Sequence, residues 1–237
     1  MQNNVLSSSH PLVDEFKDFI RNPAFPCVGA KAAASKEQMT IVVCRSISSA
    51  WDDLRIHSAL MEVARLYRED PKPFRSLAIL FDERRRMSER IFEECLWERV
   101  QSLTDKDEWL GQRHDPRVSD DPDNPHFATS FGGEAFFIVG LHPNASRPAR
   151  RFSTPAMIFN LHDQFELLRA SGQYQKLHDA IISRDVDLAG SPNPMLAGHG
   201  TSSAARQYSG RVVGDAWACP FQREPSSHLD ELFANDR

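Results

Sequence analysis

One stretch near the middle of the chain decides the fold: EAFFIVGLHPNASRPARRFSTPAMIFNL, at residues 134–161. Its two ends, 134–141 and 155–161, are runs of aromatic and aliphatic residues that predict two buried strands. The connection between them carries His142 directly after the first strand, and then three arginines, Arg147, Arg150 and Arg151. An ordinary connection has no need of a histidine and three cations, so this segment is a candidate binding loop.

Strand-like and helix-like segments alternate outward from this stretch. Two further runs rich in β-branched and aliphatic residues, 39–47 and 75–82, predict strands. Apolar residues at helical spacing predict helices over 11–21, 48–70, 83–104, 162–170 and 174–189. The whole pattern predicts an α+β fold, α/β-like in its alternation, with a mixed central sheet of about four strands flanked by helices. No linker divides the chain, so we expect a single domain over 1–237.

Two regions lack this periodicity. Residues 105–133 are polar and rich in Asp and Pro, which predicts a long loop that acts as a lid. From residue 190 onward the chain is dense in Gly, Pro and Ser but keeps several aromatic residues. We therefore predict a long irregular C-terminal segment that wraps the core, followed by a frayed or weakly helical tail at 223–237.

Composition narrows the class of protein. The chain has 237 residues, 41% of them hydrophobic, and a formal net charge of -5, which does not suit a general nucleic-acid binder. No stretch resembles a signal peptide or a membrane-spanning helix, so we expect no membrane association. The four cysteines are widely spaced and form no CxxC pair. This favours a reduced, cytoplasmic protein.

Several common catalytic motifs are absent from the sequence. It contains no GxGxxG after a strand, no GxxxxGKS or GxxxxGKT, no GxSxG and no HExxH. His162 and Glu166 are spaced to share one helix face, but a capped, solvated helix start explains them better than a metal pair. Cys27 precedes a small-residue run that predicts a helix start, where a thiol can be activated. A small buried residue in a turn is the commoner role of such a cysteine.

The segment after the third strand remains the strongest candidate site. A neutral imidazole such as that of His142 can ligate a metal, and arginines pair with carboxylates. A haem presents both an iron and two propionates, and Phe136, Phe152 and Phe159 are apolar neighbours suited to a porphyrin. Phosphate binding, other anion binding and plain surface ion pairing remain open at this point.

A family resemblance favours haem. The blocks NPAFPCVGAKAA, FFIVGLHPNASRPARRF, MIFNLHDQFELLR, GSPNPMLAGHGTSSAARQYSGR and WACPF are similar to those of the YqcI/YcgG family over about 20–222. Members of known activity are haem-dependent N-oxygenases that hydroxylate a guanidine nitrogen of arginine or an arginine-like compound in specialised metabolism. The resemblance thus implies haem b held by histidine, with electrons from an external donor or with peroxide.

The resemblance also implies roles for individual residues. His142 is the first candidate for the iron ligand, with His162 and then His199 as alternatives. Arg147, Arg150 and Arg151 are expected to pair with the propionates. This chain reads SSAARQYSGR where we expect an acidic residue in the Ser-Ala part, a departure that bears on substrate choice.

The expected substrate is a small guanidino or amino-acid compound. Glu134, which follows FGG, is the candidate to orient the guanidinium and to accept a proton. Its alternative is a surface glutamate at a strand end. Arg206 and Arg211 are candidates for the substrate carboxylate or for a propionate, and ordinary ion pairs are the alternative for both. A redox partner protein would supply electrons, and whether the chain forms a homodimer stays open.

Two other functions fit the same residues. One is a haem-binding sensor or carrier without oxygenase activity. The other is a haem-free redox enzyme centred on Cys27.

Overall fold

The computed structural model describes residues 10–196 and 201–222, and these contain one five-stranded mixed sheet. The strands lie in the order β1-β2-β5-β4-β3. Only the pair β1 and β2 is parallel, because a crossover helix joins these two strands. The strands are β1 (Met39–Cys44), β2 (Ser76–Phe81), β3 (Thr129–Phe131), β4 (Glu134–Leu141) and β5 (Ala156–Leu161). The α+β class and the mixed sheet are confirmed, with five strands where about four were predicted.

Seven α-helices flank this sheet within the described ranges. Short 3-10 turns lie at Ala50–Asp52 and Pro148–Arg150. None of these helices has the length and apolar character needed to cross a bilayer. The helices are α1 (Pro11–Arg21), α2 (Val28–Ser35), α3 (Asp53–Glu69), α4 (Glu89–Trp109), α5 (Asp163–Ala170), α6 (Tyr174–Ala189) and α7 (Ala205–Tyr208).

The first face of the sheet is covered by α3 and α4. Phe136 and Ile138 of β4 point into the core that these helices form with the sheet. Gly140 continues this row, and it is required there, because an added Cβ would lie 2.6 Å from Phe92 and 2.8 Å from Leu96 on α4. The helix therefore packs directly on the strand backbone.

The second face carries α1, α2 and α6. Leu141 of β4 and Ala78 of β2 belong to a separate core cluster with the apolar residues of α1. Helix α6 contacts α2 and the turn Pro148–Arg150 rather than lying flat on the sheet. This arrangement leaves a space between α6 and the strands, and that space is the main cavity of the described chain.

The predicted lid at 105–133 is shorter than the sequence indicated. Helix α4 continues to Trp109, because Asp107 on its buried side bonds to His57 of α3 at 2.7 Å. The short strand β3 takes up the other end, at Thr129–Phe131. Residues 110–128 remain an irregular segment with one bridge, between Ser119 and Phe127. Within 190–196 and 201–222 the chain is irregular apart from α7, in agreement with the predicted irregular segment. The predicted tail at 223–237 lies outside the described residues.

Candidate functional site

The cavity has a volume of about 640 Å³ and lies between the second sheet face and helices α1, α2, α5 and α6. This volume falls within the range of roughly 300–1,000 Å³ that is usual for sites of small molecules and organic cofactors. Its walls are mainly aromatic and aliphatic, which suits a flat apolar ligand. The aromatic wall residues are Phe16, Phe19, Phe25, Phe74, Phe127, Phe137, Phe165 and Tyr174.

A transverse row of side chains forms one end of the cavity floor. Strand register aligns Met39 with Ser76, Ser76 with Asn160, and Asn160 with Phe137, and all four line the cavity. The two central members are polar. Gln164, in the first turn of α5, lines the same cavity. The floor therefore has a polar end within an otherwise apolar surface.

Of the two predicted iron ligands among the described residues, His142 and His162, the structure places His162 in the cavity. It follows β5 directly and precedes the first residue of α5. Its backbone N–H donates to the Ala135 carbonyl at 2.8 Å, and its carbonyl accepts from the Phe165 N–H at 3.0 Å. These bonds fix the backbone of His162 between a strand end and a helix start, which is a rigid support for a ligand.

Two further histidines line the cavity that the sequence did not single out. His178 lies on α6, where it stacks on Tyr174 with ring centroids 5.7 Å apart. His126 lies in the irregular segment between α4 and β3. The helical spacing of Tyr174, Leu177, His178 and Ile181 marks one face of α6, and this was the available signal for His178.

Arg150 is the arginine of the predicted binding loop that reaches the cavity. Its guanidinium donates to the carbonyls of Gly140, Gln207 and Tyr208 at 2.9–3.2 Å. The chain passes so close at Gly210 that an added Cβ would lie 2.5 Å from Arg150 Cδ. Burial lowers the pKa of Arg150 to about 10, so the group stays charged at neutral pH.

The other two arginines of the loop are held elsewhere. Arg147 pairs with Asp185 of α6 through Nε at 3.0 Å and also donates to the Ser191 carbonyl at 2.6 Å. Arg151 is exposed and donates to the carbonyls of Ala145 and Ser146, both at 2.7 Å. Neither lines the main cavity. They shape and anchor the loop.

His142 lies on the opposite face of the sheet. Leu141 points into the cavity side, and the pleat of the strand turns the next residue the other way. The imidazole stacks on Phe92 of α4, with centroids 4.4 Å apart, and is 1% exposed. Burial lowers its pKa to about 4, so it is neutral at physiological pH. These contacts favour a packing role, while the predicted iron ligation is not supported by proximity to the cavity.

Three further residues that were predicted for the site do not line the cavity: Phe152, Arg206 and Arg211. Phe152 packs edge-on against Phe16 of α1, so it supports the aromatic wall from behind. Arg206 donates to the Gly214 carbonyl at 2.7 Å and lies over the Trp217 ring. Arg211 forms an ion pair with Glu93 of α4. Neither Arg206 nor Arg211 lines the cavity. Arg211 has the ordinary ion pair that the sequence left open, whereas Arg206 contacts a backbone carbonyl and an aromatic ring.

Glu134 belongs to a charged cluster at the cavity rim. Its carboxylate accepts from Arg117 Nη2 at 2.8 Å. Arg117 also bonds to Asp115 at 2.7–2.8 Å and pairs with Asp163 at 3.2 Å. Arg117 and Asp163 line the cavity, whereas Glu134 reaches it only through Arg117. The cluster ties the segment between α4 and β3 to the start of β4 and the start of α5.

Cys27 caps α2 and lines the cavity. Its Sγ accepts from the Ala30 N–H at 3.4 Å, as expected for a helix N-terminus. Burial outweighs this bond and raises the pKa of the thiol above its usual value. The thiolate needed by a cysteine-centred redox enzyme is therefore disfavoured. His199, the third predicted ligand, lies outside the described residues.

Within the described ranges, no three or more His, Cys, Asp and Glu side chains gather to hold a bare metal ion. A haem iron needs only one protein ligand, so a single cavity histidine meets its requirement.

Comparison with known proteins supports the family resemblance. Searches of curated proteins and of solved structures found no match. The model of the YqcI/YcgG family matches residues 16–222, which include every strand, the cavity and the segment with the three arginines. The chain therefore belongs to the YqcI/YcgG family.

Proposed function

We propose that this protein is a haem-dependent N-hydroxylase, a monooxygenase that acts on the guanidino group of arginine or an arginine-like compound. The observation that carries the proposal is one cavity with three suitable features. It is large and apolar, it contains a rigidly held histidine, and it exposes a buried cation, Arg150, that has backbone carbonyls as its partners. The resemblance to family members of known activity supports a guanidine substrate.

The donor set fits haem b. We propose His162 as the iron ligand, with His178 as the alternative, since both line the cavity. Arg150 is suited to a propionate, because it is charged and the structure pairs it with no carboxylate among the described residues. The aromatic wall would cover the porphyrin faces. When bound, the haem would supply the oxidising chemistry, using O₂ with an external electron donor or using peroxide.

The protein's own residues would exclude water, orient the substrate and take up a proton. The apolar walls keep the reacting nitrogen out of water. Asp163, on the cavity side of the rim cluster, lines the cavity, whereas Glu134 does not. We therefore assign Glu134 a positioning role: it holds Arg117, and Arg117 holds Asp163. Closure of the segment 110–128 is the expected role of the shortened lid.

The first test is haem binding by the purified protein. Protein from haem-supplemented cells should show a Soret band, and His162→Ala should lose it or change it strongly. His142→Ala is the matched control and should keep the band, because this residue lies on the far side of the sheet. Loss in His178→Ala alone would move the ligand to α6. Loss in His142→Ala alone would restore the first expectation from sequence.

The second test is turnover. Haem-loaded protein with L-arginine and a reductase or peroxide should give a product heavier by one oxygen, detected by mass spectrometry. A protein that binds haem but oxidises no guanidine or amine would instead be a sensor or carrier. A protein that refuses haem altogether would contradict the proposal. A cytoplasmic location, a separate redox partner and a small-molecule substrate belong to the same proposal, and the four free cysteines fit a reducing compartment.

A further inference from the structure

Three neutral polar side chains gather at one end of the cavity. Ser76 and Asn160 are paired across β2 and β5, and Gln164 follows in the first turn of α5. The next row on this face of the sheet is entirely apolar and consists of Ile41, Ala78, Ile158 and Val139. Its members Ile158 and Val139 line the cavity. The polar side chains of the floor are therefore confined to one end of the site.

Two of these side chains lack a hydrogen-bond partner in the described structure. Ser76 is 2% exposed and Gln164 is 3% exposed, yet Ser76 Oγ and Gln164 Oε1 are both unpartnered. Buried polar groups are nearly always bonded, and an exception calls for a ligand or a functional reason. Both atoms belong to residues that line the same cavity, so one ligand can satisfy both.

The charges of the cavity decide which ligand group suits this end. The two lining carboxylates are already engaged: Asp163 pairs with Arg117 and accepts from Tyr67, and Glu166 pairs with Arg169. Asn160 Nδ2 donates to the Phe137 carbonyl at 3.5 Å, which leaves its Oδ1 as an acceptor. The polar end thus offers neutral oxygen acceptors, and these fit a ligand group that is rich in N–H donors.

We propose that Ser76, Asn160 and Gln164 form a hydrogen-bonding subsite for the planar, N–H-rich guanidino group of the substrate. This inference rests on the proposed function, and it adds the residues that select the reacting end of the substrate. Neutral acceptors orient N–H groups without stabilising a positive charge as a carboxylate does. A guanidinium bound there would lose its proton more readily, which exposes the nitrogen lone pair that N-hydroxylation needs.

Calorimetric titration of L-arginine into haem-loaded protein tests this subsite. Ser76→Ala and Gln164→Met each remove an acceptor at little change in volume. Each is expected to weaken L-arginine binding by about 3- to 10-fold, the usual effect of one neutral hydrogen bond. Thr154→Val is the matched control, because its Oγ1 is also buried and unpartnered but lies outside the cavity. It should bind L-arginine within about twofold of the wild type.

Stability gives a second readout. Since the removed atoms have no protein partner, the melting temperature of haem-free Ser76→Ala and Gln164→Met should not fall below that of the wild type. A lower melting temperature would mean that these groups stabilise the fold, and it would overturn the proposal. Unchanged L-arginine affinity in both variants would also overturn it.

The Soret band separates this result from the fate of the proposed function. Unchanged affinity in protein that binds haem contradicts the subsite alone. If the protein takes no haem, the proposed function fails, and the same titration on haem-free protein still tests Ser76 and Gln164. Wild-type protein that binds no L-arginine in either form would overturn the subsite.

Discussion

Replacing His142 with leucine is expected to remove a large part of the pH dependence of folding stability below neutrality. His142 is 1% exposed and stacks on Phe92, and its Nδ1 has no partner among the described residues. Burial is the main reason that its pKa falls from 6.5 to about 4, with Glu89 opposing the shift and Arg150 adding to it. The folded protein therefore keeps this imidazole neutral under conditions in which the unfolded chain protonates it.

The sign and size of the effect follow from the two pKa values. Above pH 6.5 both states hold the imidazole neutral, so the stability that it contributes is fully present there. As the pH falls toward 4, the imidazole is protonated in the unfolded chain but stays neutral in the folded protein, so the free energy of unfolding decreases. The loss is about 2 kcal/mol between pH 7 and pH 5, and roughly 3 kcal/mol over the whole window.

Urea unfolding of haem-free protein at pH 7 and pH 5, followed by circular dichroism, measures this loss. The drop in unfolding free energy between the two pH values should be smaller in His142→Leu than in the wild type by about 2 kcal/mol. His126→Leu, at an exposed position, is the control for the replacement of a histidine by leucine. An identical pH dependence in wild type and His142→Leu would refute the reasoning. Loss of the Soret band in His142→Leu would show that the residue reaches the iron after all.

Three further perturbations test the packing, the lid and the cavity cation. Gly140→Ala should cost about 1–3 kcal/mol of unfolding free energy, since its Cβ would overlap the Phe92 ring, and a midpoint within error of the wild type would contradict that close packing. Arg117→Gln should speed limited proteolysis within 110–128, because the guanidinium joins this segment to the carboxylates of Glu134 and Asp163, whereas unchanged cleavage would mean that other contacts hold the lid. Arg150→Met should weaken haem binding by about 10-fold or more in hemin titrations of folded protein. Arg151→Met should leave haem affinity unchanged, and equal losses in the two variants would argue against a specific role for Arg150.

Much of the fold could be predicted from the sequence because each predicted strand is a short apolar run. The segments that form β1, β2, β4 and β5 are rich in β-branched, aliphatic or aromatic residues, so they could be recognised from local sequence without knowledge of their tertiary contacts. The strand β3 is three residues long, and it is a strand only because it pairs with the start of β4. The last turn of α4 could not be predicted from the sequence either. Its residues are polar, and it is helical because Asp107 makes a buried contact with His57.

The placement of His142 could not be read from the sequence, for a definite physical reason. Helices cover both faces of the sheet, so β4 reads as a continuous apolar run and not as an alternation of apolar and polar residues. The two-residue period of a strand places position 142 on the same face as Gly140, but without alternation nothing in the sequence says which of the two faces borders the cavity. The three-dimensional structure gives the answer, because Leu141 lines the cavity and the pleat turns His142 toward α4.

Contacts between residues far apart in the sequence also explain why one of the three loop arginines, Arg150, reaches the cavity. The partner of Arg147 is Asp185, which lies 38 residues further along the chain, so no local sequence pattern predicts this ion pair. The backbone N–H of His142 donates to the Arg150 carbonyl at 3.0 Å, and this bond folds the loop back onto the end of β4. Arg150 is then held over the cavity by carbonyls alone. A cation that carbonyls position keeps its charge available, so an anionic group of a ligand can pair with it without displacing a carboxylate of the protein.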